Sequence, residues 1–185
     1  MKAFLTALLL VCFLHASDYD VGLQAYKDKD YVSAVKYFQL SAKEGNSQAK
    51  HNLSIMYSNG DGVTKDMEKS IYWLKEAVKA NNSYATMSLA NMYMTAQGVE
   101  KNVPKAIELF TKEADMDNKE AAYNLGFIYS VGTDVKIDNK KAVDYYTKAA
   151  ELGNPNAQIN LGYMYIAGQG VKKDMTKAAY FINKA

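Results

Sequence analysis

The chain has little of what most binding and catalytic chemistry is built from. Among its 185 residues there is one cysteine, Cys12, and two histidines, His15 and His51. All 22 basic residues are lysine, so arginine is absent. The planar guanidinium fork that grips phosphate and carboxylate at two points is therefore missing. With 22 basic against 20 acidic residues, the balance gives no reason to expect nucleic acid or an acidic membrane surface as a partner. One thiol allows no disulfide within the chain and no cysteine cluster for a metal. Only two prolines, Pro104 and Pro155, interrupt helix formation anywhere.

The N-terminus differs from the rest. Met1-Lys-Ala-Phe-Leu-Thr-Ala-Leu-Leu-Leu-Val-Cys-Phe-Leu-His-Ala16 has a lysine at its start and an apolar run from Ala3 to Leu14. Ser17-Asp-Tyr-Asp20 comes next and is polar. This is the outline of a secretory signal, residues 1–16, with cleavage expected after Ala16. The run is well short of the ~20 residues that span a bilayer. An uncleaved anchor and lipid attachment at Cys12 are the alternatives, although Val11 is larger than the small residue expected before a lipidated cysteine. Cleavage would remove Cys12, His15 and Lys2, leaving a thiol-free chain with a net charge of +1. The expected location is periplasmic or secreted, with no stable membrane span after cleavage.

What the chain does have is internal repetition. Asn154-Pro-Asn-Ala-Gln-Ile-Asn-Leu-Gly-Tyr-Met-Tyr165 recurs at steps of 36 residues, beginning at Asn118, Asn82 and Asn46, with no gap. A fixed period of this size marks a stacked array. The repeats are 17–46, 47–82, 83–118, 119–154 and a shorter 155–185. The first is a variant: Gly22 lies 12 residues before Ala34, whereas Gly126 lies 16 before Ala142. Its internal loop is thus four residues shorter.

Each unit reads as two helices. Ala49, Leu53, Met56 and Tyr57 recur as Ala85, Leu89, Met92, Tyr93, as Ala121, Leu125, Ile128, Tyr129, and as Ala157, Leu161, Met164, Tyr165. Spacings of three and four place each set on one helical face. Second helices carry Ile71-Leu74-Ala77, Ile107-Phe110-Ala114 and Val143-Tyr146-Ala149-Ala150. Asp66, Asn102, Asp138 and Asp174 are expected to cap the second helices, and Asn154 with Pro155 to open a first helix. The glycines fall in repeat columns of helix ends, loops and close helix contacts, so no phosphate-cradling loop is implied. Trp73 and the tyrosines are assigned to core or half-core columns.

Two patterns matter for the family. Ala-x3-Leu-Gly-x2-Tyr with Gly-x-Gly-Val is met best at 157–171. Lys-Ala-x2-Tyr-Tyr-x-Lys-Ala-Ala-Glu-x-Gly-Asn is met at 141–154. Together they resemble the Sel-one-like repeat family over residues 47–185. Lys29-Asp30-Tyr31 with Ala34 after it makes residues 17–46 similar to a tetratricopeptide repeat. Asp134 and Ser70 depart from the pattern. The resemblance implies an all-α, right-handed superhelical solenoid of antiparallel helix pairs, about five repeats long, serving as a non-catalytic scaffold for proteins or peptides. It also implies an alternative. Cysteine-rich secreted members are described as weak penicillin-binding proteins or β-lactamases, a subgroup from which this nearly cysteine-free chain departs.

Catalytic signals are few. Ser33-Ala-Val-Lys36 and Ser47-Gln-Ala-Lys50 have the Ser-x-x-Lys spacing of serine β-lactamases, but the companion motifs Ser-Asp-Asn and Lys-Thr-Gly are absent. Both serines are expected in first turns of helices, where serine is common. His51 reads as a surface residue, with no second histidine or cysteine to share a metal. No cofactor, metal or catalytic residue is assigned.

The expected binding face lies on the first helices, away from the core stripe. Positions at i, i+3, i+4 and i+7 share a face. They read Gln48, His51, Asn52, Ile55; Tyr84, Met87, Ser88, Asn91; Glu120, Tyr123, Asn124, Phe127; and Asn156, Ile159, Asn160, Tyr163. A merely solvated face would carry lysine and glutamate, whereas this one carries aromatics, Met, Ile and amides, and no lysine. The candidate peptide-binding residues are Asn52, Tyr84, Met87, Asn91, Tyr123, Asn124, Phe127, Ile159, Asn160 and Tyr163. By analogy with tetratricopeptide repeats they line a concave groove, in which Asn52, Asn124 and Asn160 would bond a peptide backbone. The competing reading is that they pack against the next repeat. The expected partner is another envelope protein. Self-association through the apolar C-terminal helix, with Ala178, Phe181 and Ile182, is a further alternative.

Overall fold

The computed structural model describes residues 16–132 and 134–185. The expected leader therefore lies outside the described residues, except for Ala16. All regular structure among the described residues is α-helical: α1 (Asp18–Lys27), α2 (Tyr31–Lys43), α3 (Ser47–Asn59), α4 (Met67–Lys79), α5 (Ser83–Thr95), α6 (Val103–Asp115), α7 (Lys119–Val131), α8 (Asn139–Glu151), α9 (Pro155–Ala167) and α10 (Met175–Lys184). They pack as consecutive pairs in two compact units, α1–α4 up to Ala80 and α5–α10 from Asn81. Residues 28–30 join α1 to α2, whereas residues 60–66 join α3 to α4. That is the four-residue shortening expected in the first repeat.

One short polar side chain sets where each helix of the later repeats starts. Asn46, Asn82, Asn118 and Asn154 cap the first helices, each accepting from the backbone amide three residues on. An asparagine cap of this kind contributes about 1 kcal/mol by satisfying an amide with no intrahelical partner. Asp66, Asn102, Asp138 and Asp174 play the same part for the second helices. Pro155 and Pro104 sit at the first and second helical positions, where no amide donor is lost.

Four repeats are closed by the same local device. The cap residue's backbone N–H donates to the carbonyl of the tyrosine that ends the preceding core stripe: Asp66 to Tyr57 at 2.8 Å, Asn102 to Tyr93 and Asp138 to Tyr129 at 2.9 Å, and Asp174 to Tyr165 at 3.1 Å. The cap side chain accepts from the amide of Lys69, Lys105, Lys141 or Lys177. That lysine's ammonium then lies over the same tyrosine ring, 4.9–5.5 Å from its centroid. Each exposed cation–π contact of this kind contributes about 0.5–1 kcal/mol. Tyr57 and Tyr93 are buried, while Tyr129 and Tyr165 are half-buried and stack on Tyr145 and Phe181.

The core of the first unit gathers Ala34, Phe38, Ala49, Leu53, Met56 and Tyr57, with Trp73 packed against it. In the second unit Leu89, Phe110, Leu125, Tyr146, Leu161 and Met164 are buried. Apart from Tyr84 and Tyr163 on the first-helix face, two tyrosines depart from the expected core assignment. Tyr72 is 57% and Tyr180 58% exposed, because each sits one position off the buried stripe of its second helix, edge-on to Trp73 and Phe181.

One column of helix ends is uneven. Gly60, Gly132 and Gly168 close first helices with φ of +88°, +72° and +71°, and Ala96 takes the same place at φ +57°. A Cβ in this left-handed region is strained. Ala96→Gly is expected to raise the unfolding free energy by about 1 kcal/mol in urea titrations. Leu161→Ala, at a fully buried position, is expected to lower it by about 2–5 kcal/mol.

Candidate functional site

The first-helix face divides by depth. Its outer positions are exposed: Ile55 on α3, Tyr84 and Asn91 on α5, Phe127 on α7, and Ile159 and Tyr163 on α9. Tyr84 is 76% and Tyr163 60% exposed, so burial in the chain's own core accounts for neither. Of its inner positions, Asn52 in the first unit and Met87, Tyr123, Asn124 and Asn160 in the second are half-buried. In the first unit Asn52 and Ile55 join Leu23 and Tyr26 of α1 around a small depression of about 140 Å³.

In the second unit α7 and α9 touch directly, which brings two of the expected binding residues to one buried group. The Tyr123 ring lies 5.8 Å from that of Tyr146, tilted by 45°. The Tyr146 and Ser130 hydroxyls share a hydrogen bond at 3.2 Å, and the Asn160 side chain approaches the same Tyr146 hydroxyl. Burial pushes its pKa up despite those bonds. Tyr123 and Asn160 thus both approach Tyr146 at the repeat junction. Asn124, Phe127 and Tyr163 remain available on the same pair of helices, and each is at least partly exposed.

In the two Ser-x-x-Lys motifs the side chains make other contacts. Ser47 donates through its hydroxyl to the Gln48 side chain at 3.2 Å, and the Lys36 ammonium lies over the Tyr37 ring at 5.7 Å. Among the described residues neither serine hydroxyl is bonded to the lysine of its motif. No group of three or more His, Asp or Glu side chains among them is placed to hold a metal. No described helix is long and apolar enough to cross a membrane.

His51 differs from its surface reading. It is half-buried on α3, and desolvation pushes its pKa below the ordinary imidazole value.

The five repeats match the model of the Sel1 repeat over residues 12–46, 47–82, 83–118, 119–154 and 155–185. The fold is similar to the crystal structure of a protective antigen of uropathogenic Escherichia coli strains displaying an SLR fold. That pair shares 29% identity with a TM-score of 0.84, over 90% of this chain and 37% of the antigen. It is also similar to a Sel1 repeat protein from Oxalobacter formigenes, with 32% identity, a TM-score of 0.73, and 84% of this chain on 45% of that one. Cysteine rich protein B of Helicobacter pylori matches at 29% identity and a TM-score of 0.50, over 65% of this chain and 86% of that one. The chain spans less than half the length of the first two. None of the curated proteins compared with the chain matches it.

The His51 environment makes a signed prediction. A folded-state pKa below the unfolded value favours the neutral form, so this contribution to stability is present above about pH 6.5 and is lost as pH falls from there through the lower folded-state value. His51→Gln is expected to flatten the fall in urea midpoint between about pH 7.5 and pH 5, compared with the wild type.

Proposed function

Since the chain belongs to the Sel1 repeat family, we propose that it is an exported, non-catalytic scaffold that holds an extended segment of another envelope protein along its first-helix face. Sel1 repeat proteins are generally protein-interaction scaffolds, and the finer reading rests on this chain's own residues. The observation that carries it is exposure of large apolar side chains at the positions that vary most between repeats: Tyr84, Phe127 and Tyr163 are 76%, 49% and 60% exposed. Exposed aromatics on helical faces without lysine are what an interaction surface presents. The half-buried Met87 and Asn124 supply a floor of polarizable and amide groups beneath them.

Export is supported by the apolar run within residues 1–16 and by the cap directly after it. Ser17 caps α1 in a reciprocal box, its hydroxyl oxygen accepting from the Asp20 amide while Asp20 accepts from the Ser17 amide. A chain cut after Ala16 would begin at this cap, with its new ammonium beside the Asp20 carboxylate. A second reading, self-association, is supported by the exposed Tyr180 and Ile182 on α10.

The test is capture from envelope extract by the wild type and by Asn124→Ala/Phe127→Ala. Loss of the captured partner by a folded double variant is expected, with each aromatic or amide anchor contributing about 1–2 kcal/mol. Equal capture by both folded proteins refutes the face. N-terminal sequencing of the exported protein is expected to begin Ser-Asp-Tyr-Asp, and mass that rises with concentration in solution would instead favour self-association.

A further inference from the structure

Glu113 departs from its column in a way the scaffold does not require. The equivalent positions are Ser41, Ala77 and Ala149, all buried and small. Glu113 sits in the last turn of α6 and is itself only 2% exposed. Its Oε2 accepts from the Ser83 hydroxyl at the start of α5, and the Ser83 Oγ in turn accepts from Asn118 Nδ2 at 3.3 Å. Among the described residues no cation forms an ion pair with it. Lys112 is engaged by the Asn81 side chain at 2.8 Å, and Lys148 by Asp117 at 3.2 Å. A carboxylate taken out of water is strongly disfavoured unless a counter-charge meets it, and one neutral hydroxyl offsets only part of that.

The group borders a cavity of about 550 Å³ between the ends of α5, α6, α7 and α8. Its walls are chemically two-sided. Glu113 and Glu120 give it carboxylates, Asp117 adds one already paired with Lys148, and Lys119 also lines it, while Met116 and Leu152 give it exposed apolar surface. A flexible alkyl chain ending in a positive charge matches both walls, because such chains lay their methylenes on apolar surface and present the head to oxygen. A bare metal ion would find no three-ligand set among the described residues here. We propose that this cavity is a binding site for an alkylammonium group, the chemistry of a lysine side chain on a bound polypeptide, with Glu113 as its counter-charge. It meets the first-helix face only at Glu120, and the candidate binding residues Asn124 and Phe127 do not line it.

The test titrates N-acetyl-lysine N-methylamide into the purified 15N-labelled protein and tracks the Ser83 and Asn118 amide resonances, with the norleucine analogue as the uncharged control. Saturable shifts for the lysine probe and none for norleucine are expected. Glu113→Gln, which keeps the Ser83 bond, is expected to weaken binding roughly tenfold or more, the loss of about 1.4 kcal/mol or above that accompanies an unpaired buried charge. Glu113→Ala restores the residue used at Ala77 and Ala149, so it is expected to fold and to abolish the shifts. Asn124→Ala/Phe127→Ala is expected to leave them unchanged, which separates this site from the proposed groove. Equal response to norleucine, or undiminished binding by either Glu113 variant, overturns the proposal. So does a silent titration in which Glu113→Gln shifts the Lys119 side chain, since Lys119 would then fill the site itself.

Discussion

The two helices of a repeat meet where there is room for a small side chain at most, and the rest of each stack depends on that contact. A Cβ on Gly126 would lie 2.6 Å from the Tyr146 ring, and one on Gly162 would lie 2.5 Å from Ile182. In the first repeat the same place is Gly22, against Phe38. Ser54 and Ala90 hold it in the second and third repeats, and the Ser54 hydroxyl uses the proximity to bond Ser70 at 3.3 Å. Such close approach lets Phe38, Phe110 and Tyr146 fill the space between helices at high density. It also fixes which residues of a first helix face inward, and so which are left to face outward. Tyr84, Phe127 and Tyr163 are among the apolar residues that stay exposed there.

Much of this is legible in the amino-acid sequence because repetition is itself a structural measurement. A residue type that returns every 36 positions is one every copy needs, which identifies Leu53, Leu89, Leu125 and Leu161 as core and Asp66, Asn102, Asp138 and Asp174 as caps. The helix starts depend on the chemistry of one side chain each, so they can be placed closely. The lysines at 69, 105, 141 and 177 are just as periodic, yet their role is hidden. Period alone does not say that an ammonium at a helix's third position reaches back over the tyrosine that closed the previous one. That requires the loop geometry.

What the period does not show is where single copies differ. Asn160 looks equivalent to Asn52 and Asn124, but only Asn160 has Tyr146 beneath it, because the column holds Phe38, Leu74 and Phe110 in the other second helices. Tyr72 and Tyr180 stand beside half-buried aromatics in the chain, although one residue's rotation on a helix turns a side chain by ~100° and sends it to solvent. Glu113 replaces a small residue at a buried position, and nothing in one sequence distinguishes a tolerated charge from a used one until the cavity beside it is seen. Function in a repeat array is expected in such departures, since the shared columns are already committed to stacking.

Two sets of residues are therefore distinct: columns that hold the stack and an outer face that does not. Stability of Tyr84→Ser/Phe127→Ser/Tyr163→Ser, measured by urea denaturation against the wild type, tests that separation most directly. The predicted result is a folded, cooperative protein whose unfolding free energy changes by no more than about 0.5 kcal/mol per site, the scale of surface substitutions. A loss of ~3 kcal/mol or more per site, the scale of truncating a buried aromatic, would contradict it and show that the face is part of the packing.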